Sequence, residues 1–186
     1  TGWGGADKIG EVYVGRIPVY DGDYAALDAI LGKTIDYETA AGECSWRERV
    51  LLPMEPSDSN TPGWQLGEGI GNDFARPRGL GIYRIYEQDY ALDPAPEKTP
   101  CDPTNVLTEW QEGYGLTTWW THGSPTSASD VFASSYCDYL DDSRPAFVFQ
   151  NSCLNGHPET VSNLGYSLLR NGAATTIAAS RVSWYN

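Results

Sequence analysis

The feature that most constrains the fold is an alternation along the chain. Short apolar runs at 11–15, 50–54, 81–86, 116–121, 147–151 and 173–179 are rich in β-branched and aromatic residues, and they read as strands. Phe147-Val148-Phe149 and the 173–179 run lack a polar alternate, which predicts strands covered on both faces, as in a parallel sheet. Amphipathic stretches lie between the runs. Asp21 or Asp23 can cap a helix bearing Tyr24, Leu27, Leu31 and Ile35 on one face. Asp102-Pro103 pairs a cap with a first-turn proline. Thr160 can cap a helix carrying Val161, Leu164, Leu168 and Leu169, ended by Asn171-Gly172. The stretch 65–74 is a weaker helix, diluted by three glycines. About five strand–helix units predict an α/β fold: a mostly parallel sheet with helices on both faces.

Composition narrows the function. The chain has 186 residues, enough for one domain with a proper core. With 12 basic against 25 acidic residues the net charge is −13, and the basic residues are scattered, which argues against nucleic acid as a partner. No run is long and apolar enough to span a membrane. There are only three lysines (Lys8, Lys33, Lys98) against seven Trp and twelve Tyr. This composition fits a secreted or cell-surface protein. Four cysteines without a CxxC spacing, and only two histidines, argue against a zinc site. The chain opens almost on a strand and stops six residues after Ser180, so it reads as one domain, 1–186, cut from a larger precursor.

In open α/β sheets, ligands bind beyond the carboxyl ends of the strands. Asp58 follows the second run, Thr121-His122-Gly123-Ser124 the fourth, and Asn151-Ser152-Cys153-Leu154-Asn155-Gly156 the fifth. A His and a Cys thus emerge from successive strand ends, as a thiol nucleophile with an imidazole partner requires. The thiolate is the reactive form, and a neighbouring imidazolium favours it over the thiol of a free cysteine, pKa ~8.5. The amides of Gly123 and Cys153 can both face a developing oxyanion. His157 competes as base, but beside Pro158 it reads as a loop residue. Taken alone, a cysteine at a strand end is more often a small buried apolar side chain than a nucleophile, and the His–Cys pair brings the two readings level.

The Thr121–Ser124 and Asn151–Gly156 blocks resemble the His-Gly and small-residue-Cys blocks of caspase-like cysteine peptidases, the gingipain family above all. Residues 11–19, 46–52, 172–174 and 179–184 add further blocks in the same order. The resemblance implies a caspase-like three-layer sandwich lacking its first strand or strands. It implies a cysteine endopeptidase working through an acyl-enzyme on protein or peptide substrates. Cys153 would be the nucleophile, His122 its partner, and the backbone of Gly123 and Cys153 the oxyanion site. Asp58 would be the acid that orients the His, one methylene shorter than the usual Glu. Trp184, preceded by Ser183, would wall the specificity pocket. Arginine-specific members carry an Asp at the start of the helix after the Asp58 loop. Here 61–65 has no acid, so specificity for a basic residue is not expected, and Glu68, one turn further on, is the candidate substrate-binding substitute.

Two rival readings share these residues: a non-catalytic domain of a surface or adhesion protein, and a thiol acyltransferase or transpeptidase. With Cys153 free, Cys44, Cys101 and Cys137 allow one disulfide and an odd thiol. No cofactor is expected. Structural Ca²⁺ would have only Asp141-Asp142 and Asp21/Asp23 to hold it, and a solvated face explains these acids as well.

Overall fold

A computed structural model describes residues 15–56, 58 and 63–183. Five parallel strands form the central sheet: β1 (Arg49–Met54), β2 (Gly81–Tyr86), β3 (Leu116–Trp120), β7 (Ala146–Asn151) and β8 (Ala173–Ala178), in the order β2-β1-β3-β7-β8. Between β3 and β7, three two-residue strands, β4 (Gly123–Ser124), β5 (Ser127–Ala128) and β6 (Phe132–Ala133), make a small antiparallel sheet. The helices are α1 (Tyr24–Thr39), α2 (Gly63–Gly69), α3 (Pro103–Trp110) and α4 (Leu164–Arg170). The expected parallel α/β architecture is therefore observed. Most of the 11–15 strand lies outside the described residues.

The caps follow the sequence logic at two of these helices. The Asp23 carboxylate accepts from the Ala26 amide at α1, and the Asp102 carboxylate from Thr104 and Asn105 at α3. For α4 the expected cap was Thr160; the structure uses Asn163, whose side chain accepts from Tyr166 N at 2.8 Å. The 157–163 segment is spent on turns, so the helix starts later and leaves Val161 exposed. Gly172 at φ 91° ends it.

The sheet separates two apolar layers. On one face α3, α4 and the 134–139 turn pack on Leu51, Ile85, Trp119, Ala146 and Val148. On the other, α2 and the π-type turn after it cover Val50, Leu52, Met54, Tyr86 and Trp120. Gly67 of α2 lets the helix approach closely, because a methyl there would stand 3.0 Å from the Met54 side chain. Ile30 of α1 packs on Tyr166 and Leu169 of α4.

One expectation is corrected. The sequence pattern predicts Phe147, Phe149 and Ile177 covered on both sides, yet they are 40%, 42% and 50% exposed. The cause is topological. Right-handed crossovers place a helix on the face set by the direction of travel across the sheet. The step from β1 to β2 runs one way and puts α2 on its face. The steps β2 to β3, β3 to β7 and β7 to β8 run the other way and load the opposite face. The α2 side of β7 and β8 is left open among the described residues.

Arg84 anchors the β2 edge. It is 2% exposed and donates to Glu97 Oε2 and Oε1 (both 2.9 Å), Glu68 Oε1 (2.9 Å) and the carbonyls of Pro94 and Ala95. The 94–98 segment returns along this edge, with Tyr86 N donating to Lys98 O.

Candidate active site

The two loops singled out above meet. Strands β3 and β7 are hydrogen-bonded neighbours with Trp120 opposite Asn151, so the chain leaves both at the same level. Thr121 N donates back to Asn151 O at 3.3 Å. His122 is exposed, and its backbone is fixed by Ser129 N donating to its carbonyl at 2.8 Å. Gly123 lies against the Cys153 backbone. A methyl at Gly123 would collide with the Cys153 carbonyl oxygen and stand 2.9 Å from both Cys153 N and Ser152 Cβ. Only a residue without a side chain fits there. The His-Gly segment and the cysteine loop are thus in backbone contact, with both candidate oxyanion amides on that seam.

Cys153 is half-buried, and its thiol donates to the Ser183 carbonyl at 3.4 Å, with Ser183 Oγ 3.7 Å from the sulfur. The segment after β8 therefore borders the nucleophile. The Leu154 amide donates to Arg181 O and the Gly156 amide to Ala179 O along the same border. Trp184 lies outside the described residues. His157 is occupied elsewhere: its Nδ1 pairs with Thr160 Oγ1 at 3.1 Å, and its Nε2 faces Glu159 at 3.3 Å.

The Asp58 loop carries a second acid, nearer the strand end. Asp58 is exposed. Glu55 comes directly off β1, its amide donating to Trp120 O at 3.1 Å on the strand that leads to His122. Its Oε2 is buried without a hydrogen-bond partner. Burial, reinforced by the charges of Glu87 and Asp130, raises the Glu55 carboxyl to about 7. The sequence signals only its place at a strand's carboxyl end; its burial shows in the fold alone.

Glu68 is engaged by Arg84 and by Tyr86, whose hydroxyl donates to it at 3.0 Å. Asp142 holds Lys33 (2.8 Å) and accepts from Gly172 N, Asp141 holds Ser143 and Arg144, and Asp23 caps α1. Among the described residues no three His, Cys, Asp or Glu side chains are grouped so as to hold a metal ion. All four cysteines are free thiols, and Cys101 and Cys137, expected in loops or at helix ends and suited to a disulfide, are buried in the core. Burial pushes the Cys137 thiol up to about 12 and raises Cys101 further. Clefts of about 490 and 520 Å³ lie beside α1, one at the 142–145 turn and one along β8. Neither touches the Cys153 loop, and strand-end chemistry locates the site better than cavity volume does.

A family model described as peptidase family C25 matches residues 2–186. The chain belongs to this family, the gingipains. Three solved structures share its fold. The crystal structure of the Arg-specific cysteine proteinase gingipain R superposes with a TM-score of 0.68 at 19% identity, over 86% of this chain and 38% of that one. The complex of Porphyromonas gingivalis RgpB pro- and mature domains gives 0.73 at 21%, over 94% and 42%. A structure described as a protease gives 0.67 at 23%, over 86% and 35%. The C25 chain thus spans about two fifths of the length of these relatives. No curated protein matches it by sequence.

Proposed function

We propose that this C25 chain carries a cysteine-peptidase centre in which Cys153 is the nucleophile and His122 its partner. The observation that carries this reading is the backbone contact of Gly123 with Cys153 at the ends of two adjacent parallel strands. The Cys153 thiolate attacks the substrate carbonyl carbon. The resulting oxyanion accepts from the amides of Gly123 and Cys153. The His122 imidazolium gives its proton to the leaving amine, and a thioester to Cys153 remains. Water, deprotonated by His122, then attacks the thioester, releases the acid and restores the thiolate beside the imidazolium. We assign the acid that orients His122 to the Glu55–Asp58 loop, and within it to Glu55, whose carboxylate is the more sheltered.

Ser183 borders the substrate side of the sulfur, and Trp184 after it is the proposed wall of the specificity pocket. Glu68 is bound to Arg84 and is given no role in selecting a basic side chain. Protein or peptide substrates follow from the family. Further domains of the same precursor fit the greater length of the solved relatives. Secretion or surface display rests on composition. No described helix is long and apolar enough to cross a membrane.

Alkylation with iodoacetamide followed by peptide mapping tests the thiol. At about pH 6, Cys153 is expected to react faster than free cysteine, because only an activated thiol is reactive there. Cys44 is half-exposed and serves as an internal control, while Cys101 and Cys137 are shielded by burial. A Cys153 rate no greater than that of Cys44 and free cysteine would remove the catalytic reading.

Glu55 gives a separate pH test. Its folded carboxyl titrates near 7, against 4.5 for the unfolded reference, so the folded state holds the proton more tightly. Its contribution to stability is full below 4.5 and is lost as the pH rises toward 7. Glu55→Gln cannot ionise and should become more stable relative to the parent across that window. Urea unfolding at several pH values measures the difference; a constant offset would refute the assignment.

A further inference from the structure

One side chain ties the cysteine loop to the hairpin that carries Gly123. Asn155, two residues after Cys153, is fully buried. Its Nδ2 donates to Ser124 O at 2.7 Å and to Ser127 O at 3.0 Å, the paired residues of β4 and β5. Its Oδ1 accepts from the Ser152 hydroxyl, which itself accepts from Trp119 Nε1 at 3.0 Å. The direction of this chain is fixed. An indole can only donate, and an amide NH₂ facing two carbonyls has only one orientation. Trp119 and Asn155 are 0% exposed and Ser152 3%, so the network works without competition from water.

The backbone repeats the link. The Gly165 amide donates to Asn155 O and the Leu164 amide to Pro125 O, both at 2.8 Å, so the start of α4 braces the same seam. Between Cys153 and Asn155, Leu154 sits at φ 62°, a left-handed conformation that residues with a β-carbon rarely adopt. The loop does not take this shape by local preference; its surroundings hold it there.

We propose that Asn155 is a positioning residue of the thiol centre. Its amide locks the hairpin bearing Gly123, and with it the preceding His122, against the Cys153 loop. This keeps the imidazole and the oxyanion amides in register with the sulfur. Ser152 and Trp119 hold the Asn155 amide in the orientation that does this. The proposal rests on the cysteine-peptidase reading above.

Asn155→Asp keeps size and shape but replaces the two N–H donors with an oxygen facing two carbonyls. Ser152→Ala keeps the Asn155 donors to the hairpin and removes the hydroxyl that joins the Asn155 Oδ1 to Trp119. Each is compared with the parent by thermal unfolding, by kcat and KM on a cleaved peptide, and by the pH profile of Cys153 alkylation. For Asn155→Asp, kcat should fall by about a hundredfold, with KM within about threefold, because a shift of the order of an ångström at the reacting atoms costs that much. For Ser152→Ala we expect a loss of about tenfold in the same pattern. In both, the alkylation advantage at about pH 6 should disappear, while the rate at about pH 9.5, where any accessible thiol is ionised, stays at the parent value.

A purely structural Asn155 would lower the melting temperature without moving the pH profile, and that result overturns the proposal. If Asn155→Asp does not fold, Ser152→Ala decides alone: a moved profile supports the role and the parent profile sinks it. A parent protein with no alkylation advantage defeats the peptidase reading itself. A parent advantage that survives in the folded variants defeats only the positioning role.

Discussion

Cys153→Ala is expected to lower peptide hydrolysis by at least about a thousandfold, the scale on which removing a catalytic nucleophile acts. The fold should not suffer. Cys153 is half-buried, and its sulfur is held by Ser183 at the rim. The melting temperature should therefore stay within the small range typical of surface changes. Any residual rate would come from the Gly123 and Cys153 amides, which the substitution leaves in place. The measurement is kcat/KM on a mixed peptide library beside a thermal melt. Undiminished turnover would show that the nucleophile is elsewhere. The same preparation separates hydrolysis from acyl transfer. With an added amine, a transferase gives mainly the amide product and a peptidase mainly the acid, although both pass through the same thioester.

Arg84→Met should cost about 3 kcal/mol of stability, the scale of removing one partner from a buried ion pair. Arg84 is 2% exposed, and its guanidinium meets Glu68, Glu97 and two carbonyls. Removing it strands two carboxylates and loosens the 94–98 return along β2. The loss should depend on pH. Burial raises the Glu97 carboxyl, but hydrogen bonds and charge from Arg84 outweigh this and leave it below its ordinary value. A depressed acid contributes stability above its unfolded pKa and loses it as the pH falls through the folded one. The gap between parent and variant should therefore narrow in acid. Chemical denaturation at neutral and acidic pH measures it, and adding Glu97→Gln to Arg84→Met should recover part of the loss. A cost below about 1 kcal/mol at neutral pH would mean that the cluster behaves as an exposed ion pair.

Much of this was legible in the sequence because strands and their carboxyl ends announce themselves. The runs at 50–54, 81–86, 116–121, 147–151 and 173–179 fall on β1, β2, β3, β7 and β8 to within a residue or two. The loops carrying His122 and Cys153 could be brought together in advance because each follows such a run. What the sequence hid was long-range. Glu55 adjoins β1 like any loop acid; only the fold shows its carboxylate oxygen sealed off beside β3. Glu68 reads as a free acid until Arg84, 16 positions away, is brought onto it. The role of Asn155 depends on a hairpin about 30 residues upstream. The exposure of Phe147 and Phe149 follows from crossover direction, which local pattern does not encode.

The open side of β7 and β8 bears directly on the chemistry. Phe149 stands on the strand that delivers Cys153, two residues before its end, and Ile177 pairs with it in register on the last strand. Among the described residues only one face of this strand is held by packing, so the other answers to what lies over it. The steadiness of the sulfur is thus tied to whatever shields those two side chains from solvent, and conditions that alter that shielding should be felt in turnover before they are felt in folding.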